Sequence, residues 1–207
     1  MSLLPIFVKL AGRRCLLVGA GTVALQKVPS LLAAEAHVRV VAPRVRAEIA
    51  AFASEGRVEV IEREFVPSDL DQVFLVIAAT DDPRVNAAVY RAAVEREILC
   101  NSVDDPPHCD FYFGSVVSRG ELQIAISTAG ESPAFAQRLR QEIDEQLPGD
   151  LGPWLHSVGE LRREVLAAYP VSEERKLLLH ELAQRQLCDS RDCPARKIAF
   201  ERKEVCA

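Results

Sequence analysis

The sequence predicts an α/β protein: a doubly wound parallel sheet, then a small α+β segment and a helical C-terminal part. Three observations carry this prediction. Residues 1–103 alternate short apolar runs with helical patterns, and a G-x-G-x-x-A loop stands between the first buried run and the first helical pattern. After residue 112 the pattern changes to two paired strands, a capped helix, and then helix alone.

The elements follow in order. The opening "MSLLPIFVKLAGRRC" carries Pro5 and Lys9 inside its apolar part, with no basic segment ahead. It reads as a first strand rather than as a signal peptide. Strands are then expected at 15–20 ("CLLVGA"), 37–43, 57–64, 73–80 and 98–103. These runs are rich in Val, Ile and Leu, and several are too continuously apolar to have a wet face. That suits a parallel sheet covered on both sides. Helical patterns occupy 22–34, about 44–54, and 83–96, the last with Pro83 in its first turn. Pro29 falls inside the first helix and is expected to kink it.

The run 112–128 reads as a hairpin turning at Arg119-Gly120. The next helix starts at Ser132 as N-cap with Pro133 behind it. Its apolar positions Phe135, Leu139, Ile143 and Leu147 predict one buried stripe. "PGDLGP" (148–153) is a breaker cluster, and only helical patterns follow it. The domain boundaries expected are therefore 1–112 for a nucleotide-binding domain, 113–148 for a strand-and-helix segment, and 149–207 for a helical domain.

Composition narrows the function classes. The 207 residues are 49% hydrophobic and 27% charged, with a formal net charge of −5. No apolar run approaches the ~20 residues of a membrane-spanning helix, so no membrane partner is expected. The acidic balance gives no general attraction to nucleic acid. An anionic substrate must then be met by locally placed Arg and Lys. The six cysteines form no C-x-x-C pair, and a reducing cytoplasm is the simpler setting for them. No dedicated metal motif is found: the spacing of Cys188, Cys193 and Cys206 is weak for one, and His156 and His180 read as packing or surface residues.

The chemistry gathers at three places. Gly19, Gly21 and Ala24 supply a tight turn, room for a pyrophosphate, and close helix–sheet packing. The helix N-terminus behind them faces the anion. The acid that usually holds the adenosine ribose at the end of the second strand is absent; "VVAPR" puts Pro43 and Arg44 there. On the residues alone, NAD and NADP both stay open. "AATDDPRVN" follows the fourth strand, so Thr80 and Asp81 are expected to line the nicotinamide side, with Asp81 or Asp82 capping the helix. "CNSVDDPPHCDF" (100–111) follows the fifth strand, with Asp104 as candidate base and His108 as candidate auxiliary proton carrier.

The stretches "LPIF" (4–7), "CLLVGAGTVALQK" (15–27), "AATDD" (78–82), "CNSVD" (100–104), "ISTAGESPAFAQRLR" (126–140) and "LPGDLG" (147–152) together resemble the precorrin-2 dehydrogenase family. That family comprises the N-terminal half of sirohaem synthase and its stand-alone relatives. The resemblance implies a Rossmann-like NAD-binding domain, a segment that pairs two subunits into a homodimer, and a helical tail. It implies oxidation of precorrin-2 to sirohydrochlorin with NAD⁺, and in some members Fe²⁺ insertion into that product. It places the catalytic aspartate at Asp104 and nucleotide contacts at the glycine loop, Thr22, Val23, Pro43 and Arg44. It favours NAD over NADP.

For a substrate with many carboxylates, the candidates are Arg119, Arg138 and Arg140, with the turn Ser127, Thr128, Gly130 and Ser132 ahead of a helix N-terminus. A function from another class, an NAD-binding sensor without catalysis, shares the glycine loop but needs no acid loop.

Overall fold

A computed structural model describes residues 3–184. The chain divides into two compact units, Leu4–Tyr112 and the residues from Phe113 onward.

In the first unit five strands form one parallel sheet: β1 (Arg14–Val18), β2 (His37–Val41), β3 (Val58–Ile61), β4 (Leu75–Ala78) and β5 (Leu99–Ser102). Their order is β3-β2-β1-β4-β5. Strand pairs keep simple register, with Leu17 beside Val40 on one side and Ile77 on the other. β1 and β4 lie in the middle, which is why their sequences are the most continuously apolar: all four residues of β4 are buried. Helices α1 (Thr22–Ala33) and α2 (Ala47–Ser54) accompany one face, where Ala24, Val28 and Ile49 pack with Leu17, Val40 and Ile77. Helix α3 (Pro83–Val94) covers the other, where Val89 and Ala93 pack with Leu16, Val76 and Cys100. The chain reverses its winding between β1 and β4, so their carboxyl ends open a crevice at the switch point.

One expectation for this unit is corrected. The opening segment is not a strand: residues 3–10 pair with nothing in the sheet, and Leu4, Ile6 and Phe7 are exposed. Apolar composition alone cannot seat a strand when no sheet edge receives it. The first helix, α1, continues through Pro29. Pro29 itself lies on the exposed side of the helix.

The second unit has an antiparallel hairpin, β6 (Ser115–Arg119) and β7 (Leu122–Ile126), then α4 (Pro133–Gln146), α5 (Leu151–Ala168) and α6 (Glu173–Leu182). The turn residues are Gly120 and Glu121, with Gly120 at a φ of 60°, the left-handed conformation that the first turn position of a tight hairpin demands. Ser132 caps α4 through the amide of Phe135 at 3.2 Å, with Pro133 first in the helix. The expected buried stripe on α4 is met in part: Leu139, Ile143 and Leu147 are half-buried. Phe135 is 55% exposed, and Ala136 is the one residue of α4 that is fully buried. The helix packs on β6 through its Ala136 and Asp144 side, because Asp144 pairs with Arg119 at the end of β6 (2.6 Å). "PGDLGP" is only half a breaker. α5 begins at Leu151, and Pro153 sits in its first turn, where its missing amide is no loss. Gly152 has a reason to be glycine, since a Cβ there would lie 3.0 Å from the Arg119 and Gly120 backbone.

One ion pair fixes the loop between β3 and β4. Arg63 grips Asp69 with two hydrogen bonds of 2.8 and 2.5 Å, and Asp69 also accepts from the Val66 amide at 2.9 Å. Burial pushes the Asp69 carboxyl up. The hydrogen bonds from Arg63 and Val66, with the charges of Arg63 and Arg39, outweigh it and hold the carboxyl below its usual range. Asp69 therefore stabilises the fold above the unfolded carboxylate value of about 3.9, and that contribution fades as pH falls through the lower folded value. Asp69→Ala, which also leaves the Val66 amide without its acceptor, is expected to cost about 1–3 kcal/mol at neutral pH in denaturant unfolding. Asp69→Asn should cost less, and its gap to the wild type should close below about pH 4.

Candidate active site

A cleft of about 680 Å³ opens at the carboxyl ends of β1, β2 and β4. Gly19 and Ala20 line it after β1, and Ala42, Pro43 and Arg44 after β2. Ala79, Thr80, Asp81 and Asp82 follow β4, with Arg84, Val85 and Ala88 beyond them, while Glu64 and Phe65 enter from the loop after β3.

The two loop glycines have different tasks. Gly19 has a φ of 102°, and a Cβ there would collide with the carbonyl of Ala79. It is the point where β1 and β4 leave the sheet in backbone contact. Gly21 meets nothing within 4 Å of an added Cβ. It is the N-cap of α1, and no side chain caps that end. Open space and uncapped amides are what a pyrophosphate requires, so these residues fit a dinucleotide. Of the remaining predicted cofactor residues, Ala24 is buried against the sheet, Val23 is half-buried, and Thr22 receives Arg46 Nη1 at 3.4 Å.

Beyond β4 the local order comes from Asn86, which sequence reasoning missed. The buried Asn86 accepts from the Thr80 hydroxyl (2.7 Å) and amide (3.2 Å), and donates to the Thr80 carbonyl (3.1 Å). A buried amide pairing three times with one residue locks the turn. Asp82, rather than Asp81, is the helix cap: it accepts from the Arg84 amide at 2.8 Å and pairs with the Arg84 guanidinium at 2.7 Å. The side-chain hydrogen bond and amide of Arg84 hold the Asp82 carboxyl down at about 2. Asp81 is exposed and lines the cleft.

The loop after β5 is tied down by most of its polar groups. The Asp110 carboxylate accepts from the Cys100 amide (2.8 Å), Asn101 Nδ2 donates to the Phe111 carbonyl (2.8 Å), and Cys109 Sγ donates to the Ser102 carbonyl (3.0 Å). His108 Nδ1 meets Asp105 Oδ2 at 2.6 Å, and its ring packs on Tyr90 with centroids 4.5 Å apart. Asp105 thus becomes the partner that orients His108, a role sequence reading did not give it. Asp104 differs: it is exposed, has a φ of 59°, and has no hydrogen bond or ion pair among the described residues. A non-glycine residue in the left-handed region is held there by its surroundings, a state common at chemical sites.

The buried cysteines of the sheet are poor ligands and nucleophiles. Burial, helped by the charges of Asp110 and Cys109, pushes the Cys100 thiol up to about 12; burial alone takes Cys15 to about 11. Among the described residues no group of three His, Cys, Asp or Glu side chains is gathered to hold a metal ion. Cys188, Cys193 and Cys206 lie outside the described residues.

In the second unit, the turn ahead of α4 is knitted locally. Ser127 Oγ accepts from the Ala129 amide and Thr128 Oγ1 from the Ser132 amide, each at 3.2 Å, with Ala129 and Gly130 both at positive φ. Arg119 is committed to Asp144, through its side chain (2.6 Å) and carbonyl (2.8 Å), and Arg140 reaches the same carboxylate at 3.5 Å. Arg138 is exposed and pairs with Glu142 at 2.8 Å.

Comparison with known proteins adds a context to this geometry. Residues 6–115 match a family model described as "Putative NAD(P)-binding", and residues 119–146 match the central segment of sirohaem biosynthesis proteins. The chain is 44% identical to siroheme synthase 1 of Yersinia enterocolitica over 165 residues, 80% of this chain and 35% of that protein. It is 36% identical to siroheme synthase of Mannheimia succiniciproducens over 205 residues, 99% of this chain and 43% of that one. It therefore spans well under half the length of these curated relatives. The solved structure of SirC, precorrin-2 dehydrogenase, superimposes with a TM-score of 0.77 at 26% identity, covering 98% of this chain and all of that one. The resemblance read from the motifs is met by these relatives.

The division of labour between the glycines is testable by thermal unfolding alongside NADH fluorescence titration. Gly19→Ala should lose about 1–3 kcal/mol of stability through backbone strain and collision. Gly21→Val should leave the melting midpoint within about 2 °C while weakening NADH binding at least about tenfold.

Proposed function

Because this chain belongs to the NAD(P)-binding family whose model spans residues 6–115, we propose that it oxidises precorrin-2 to sirohydrochlorin, with NAD⁺ as the hydride acceptor. The observation that carries this reading is the pairing of two features on one sheet edge. A cleft fit for a dinucleotide lies at the ends of β1, β2 and β4, and the unpartnered Asp104 follows the adjacent strand β5. The curated relatives are siroheme synthases, and the full-length structural relative is a precorrin-2 dehydrogenase.

Bound NAD⁺ supplies a carbon that takes a hydride with its electron pair. The chain's own residues do the rest. Asp104 accepts the proton released as a new double bond extends conjugation around the macrocycle, and then returns it to solvent. Its left-handed backbone holds the carboxylate at the end of β5, free of competing partners. His108, oriented by Asp105, is the carrier through which Asp104 returns that proton to solvent. Thr80 and Asp81 line the nicotinamide side, and Pro43 and Arg44 the adenosine side. The substrate's carboxylates meet the N-terminus of α4, the turn Ser127, Thr128, Gly130 and Ser132, and Arg138. Arg119, engaged by Asp144, shapes that segment rather than meeting the substrate directly.

The same reading makes the protein a cytoplasmic homodimer paired through residues 113–148. The exposed Val116 and Phe135 of that segment and the free thiols Cys15, Cys100 and Cys109 support it. The competing sensor reading needs no strained acid loop. Fe²⁺ insertion into the product would draw on Asp104 and His108, and forms a separate arm of the test.

NADH absorbance on mixing protein, NAD⁺ and precorrin-2 decides the main claim. Binding of NAD⁺ without turnover would support the sensor instead. Asp104→Asn, which tolerates the left-handed backbone, should lower turnover about 10²–10⁴-fold with NADH affinity within twofold. Unchanged turnover removes Asp104 from the mechanism. His108→Gln should reshape the pH profile of turnover, whereas Asp104→Asn should depress it at every pH.

A further inference from the structure

The adenosine side of the cleft lacks the acid that such sheets ordinarily place at the end of the second strand; Ala42, Pro43 and Arg44 stand there instead. That acid ordinarily accepts the ribose hydroxyls and repels a 2′-phosphate. An exposed Arg44 in its place, taken alone, would favour NADP.

The sheet order suggests where a substitute should come from. β3 is the next strand outward from β2, and the loop leaving its carboxyl end returns over the cleft, where Glu64 and Phe65 form part of the wall. This loop is not loosely placed. Arg63, the residue before Glu64, is clamped by two hydrogen bonds to the buried Asp69, which also binds the Val66 amide, the second residue after Glu64. Arg63 Nη1 donates to the Glu64 carbonyl as well, at 2.8 Å. The backbone on both sides of Glu64 is thereby held, while its carboxylate has no hydrogen bond or ion pair among the described residues.

Two other carboxylates line the cleft, Asp81 and Asp82, and both follow β4 across the switch point. Asp82 is committed to capping α3 and to Arg84. Glu64 is the cleft carboxylate carried from the β3 side.

We propose that Glu64 is the residue that selects NAD over NADP, taking the place of the absent acid after β2. Its carboxylate accepts the adenosine ribose hydroxyls and opposes a 2′-phosphate, against the pull of the neighbouring Arg44. The Arg63–Asp69 clamp is the positioning device that makes the selection sharp. This inference rests on the nucleotide reading of the cleft.

The test titrates the full chain with NADH and with NADPH, following nucleotide fluorescence, and needs no tetrapyrrole. The wild type should prefer NADH. Glu64→Gln should lower that preference at least tenfold, combining weaker NADH binding with stronger NADPH binding, at an unchanged melting midpoint. Simple relief of negative charge would strengthen both nucleotides alike, because both carry the pyrophosphate, and an unchanged ratio overturns the proposal. A shift produced by Asp81→Asn and not by Glu64→Gln overturns it too, by assigning the role to the wrong carboxylate. Asp69→Asn, which loosens the clamp without touching the cleft, should lower the preference partially. If the wild type binds neither nucleotide, the reading of the cleft fails first and this inference with it. If it binds both with the same affinity, the cleft reading stands and the selection alone fails.

Discussion

The structure depends on a backbone contact between neighbouring strands that leave the sheet in opposite directions. β1 and β4 are adjacent and parallel, and just past their ends Gly19 meets Ala79 so closely that no side chain fits between them. This contact brings the glycine loop and the Thr80–Asp82 turn to the same opening. A larger residue at position 19 would have to push the two loops apart. The cleft then would not be the space of about 680 Å³ that it is. The two apolar layers of the first unit, one against α1 and one against α3, serve to keep β1 and β4 in that register.

Around this frame, polar groups fall into two populations. One is paired for shape. Arg63 with Asp69 fixes a loop, Asp82 with Arg84 caps a helix, and Asn86 with Thr80 locks a turn; in the second unit Arg119 with Asp144 ties the hairpin to α4. Buried or half-buried polar groups without partners are costly, so each pairing follows from the packing near it. Others stay unpaired. Asp104, Glu64 and Arg44 lie at strand ends, exposed, and without a partner among the described residues. Solvent hydrates them at little cost, which leaves them available to a ligand.

The loop "CNSVDDPPHCDF" shows the same division within a few residues. Asp110 and Asn101 hold backbone amides and carbonyls, Cys109 caps a carbonyl, and Asp105 orients His108. Asp104 alone is turned out by a left-handed backbone. The sequence marked this stretch as chemical by its density of acids and soft ligands. It could not distinguish a structural aspartate from an available one, since that depends on which amides the folded loop brings within reach.

Period and punctuation in the sequence determined the strand–helix alternation, the parallel sheet, the glycine loop between strand and helix, the hairpin, and the cap of α4. Each of these is decided by interactions a few residues apart or by the face a run must bury. Only the tertiary structure decided the rest. The opening apolar run found no sheet edge, Phe135 stayed exposed, and Pro29 fell on the exposed side of α1. Glu64 joined the cleft, and Asn86 locked the turn beside it, from residues with no motif of their own. These outcomes hinge on contacts between segments distant in sequence. Periodicity says which face a segment must bury, but not what stands opposite that face.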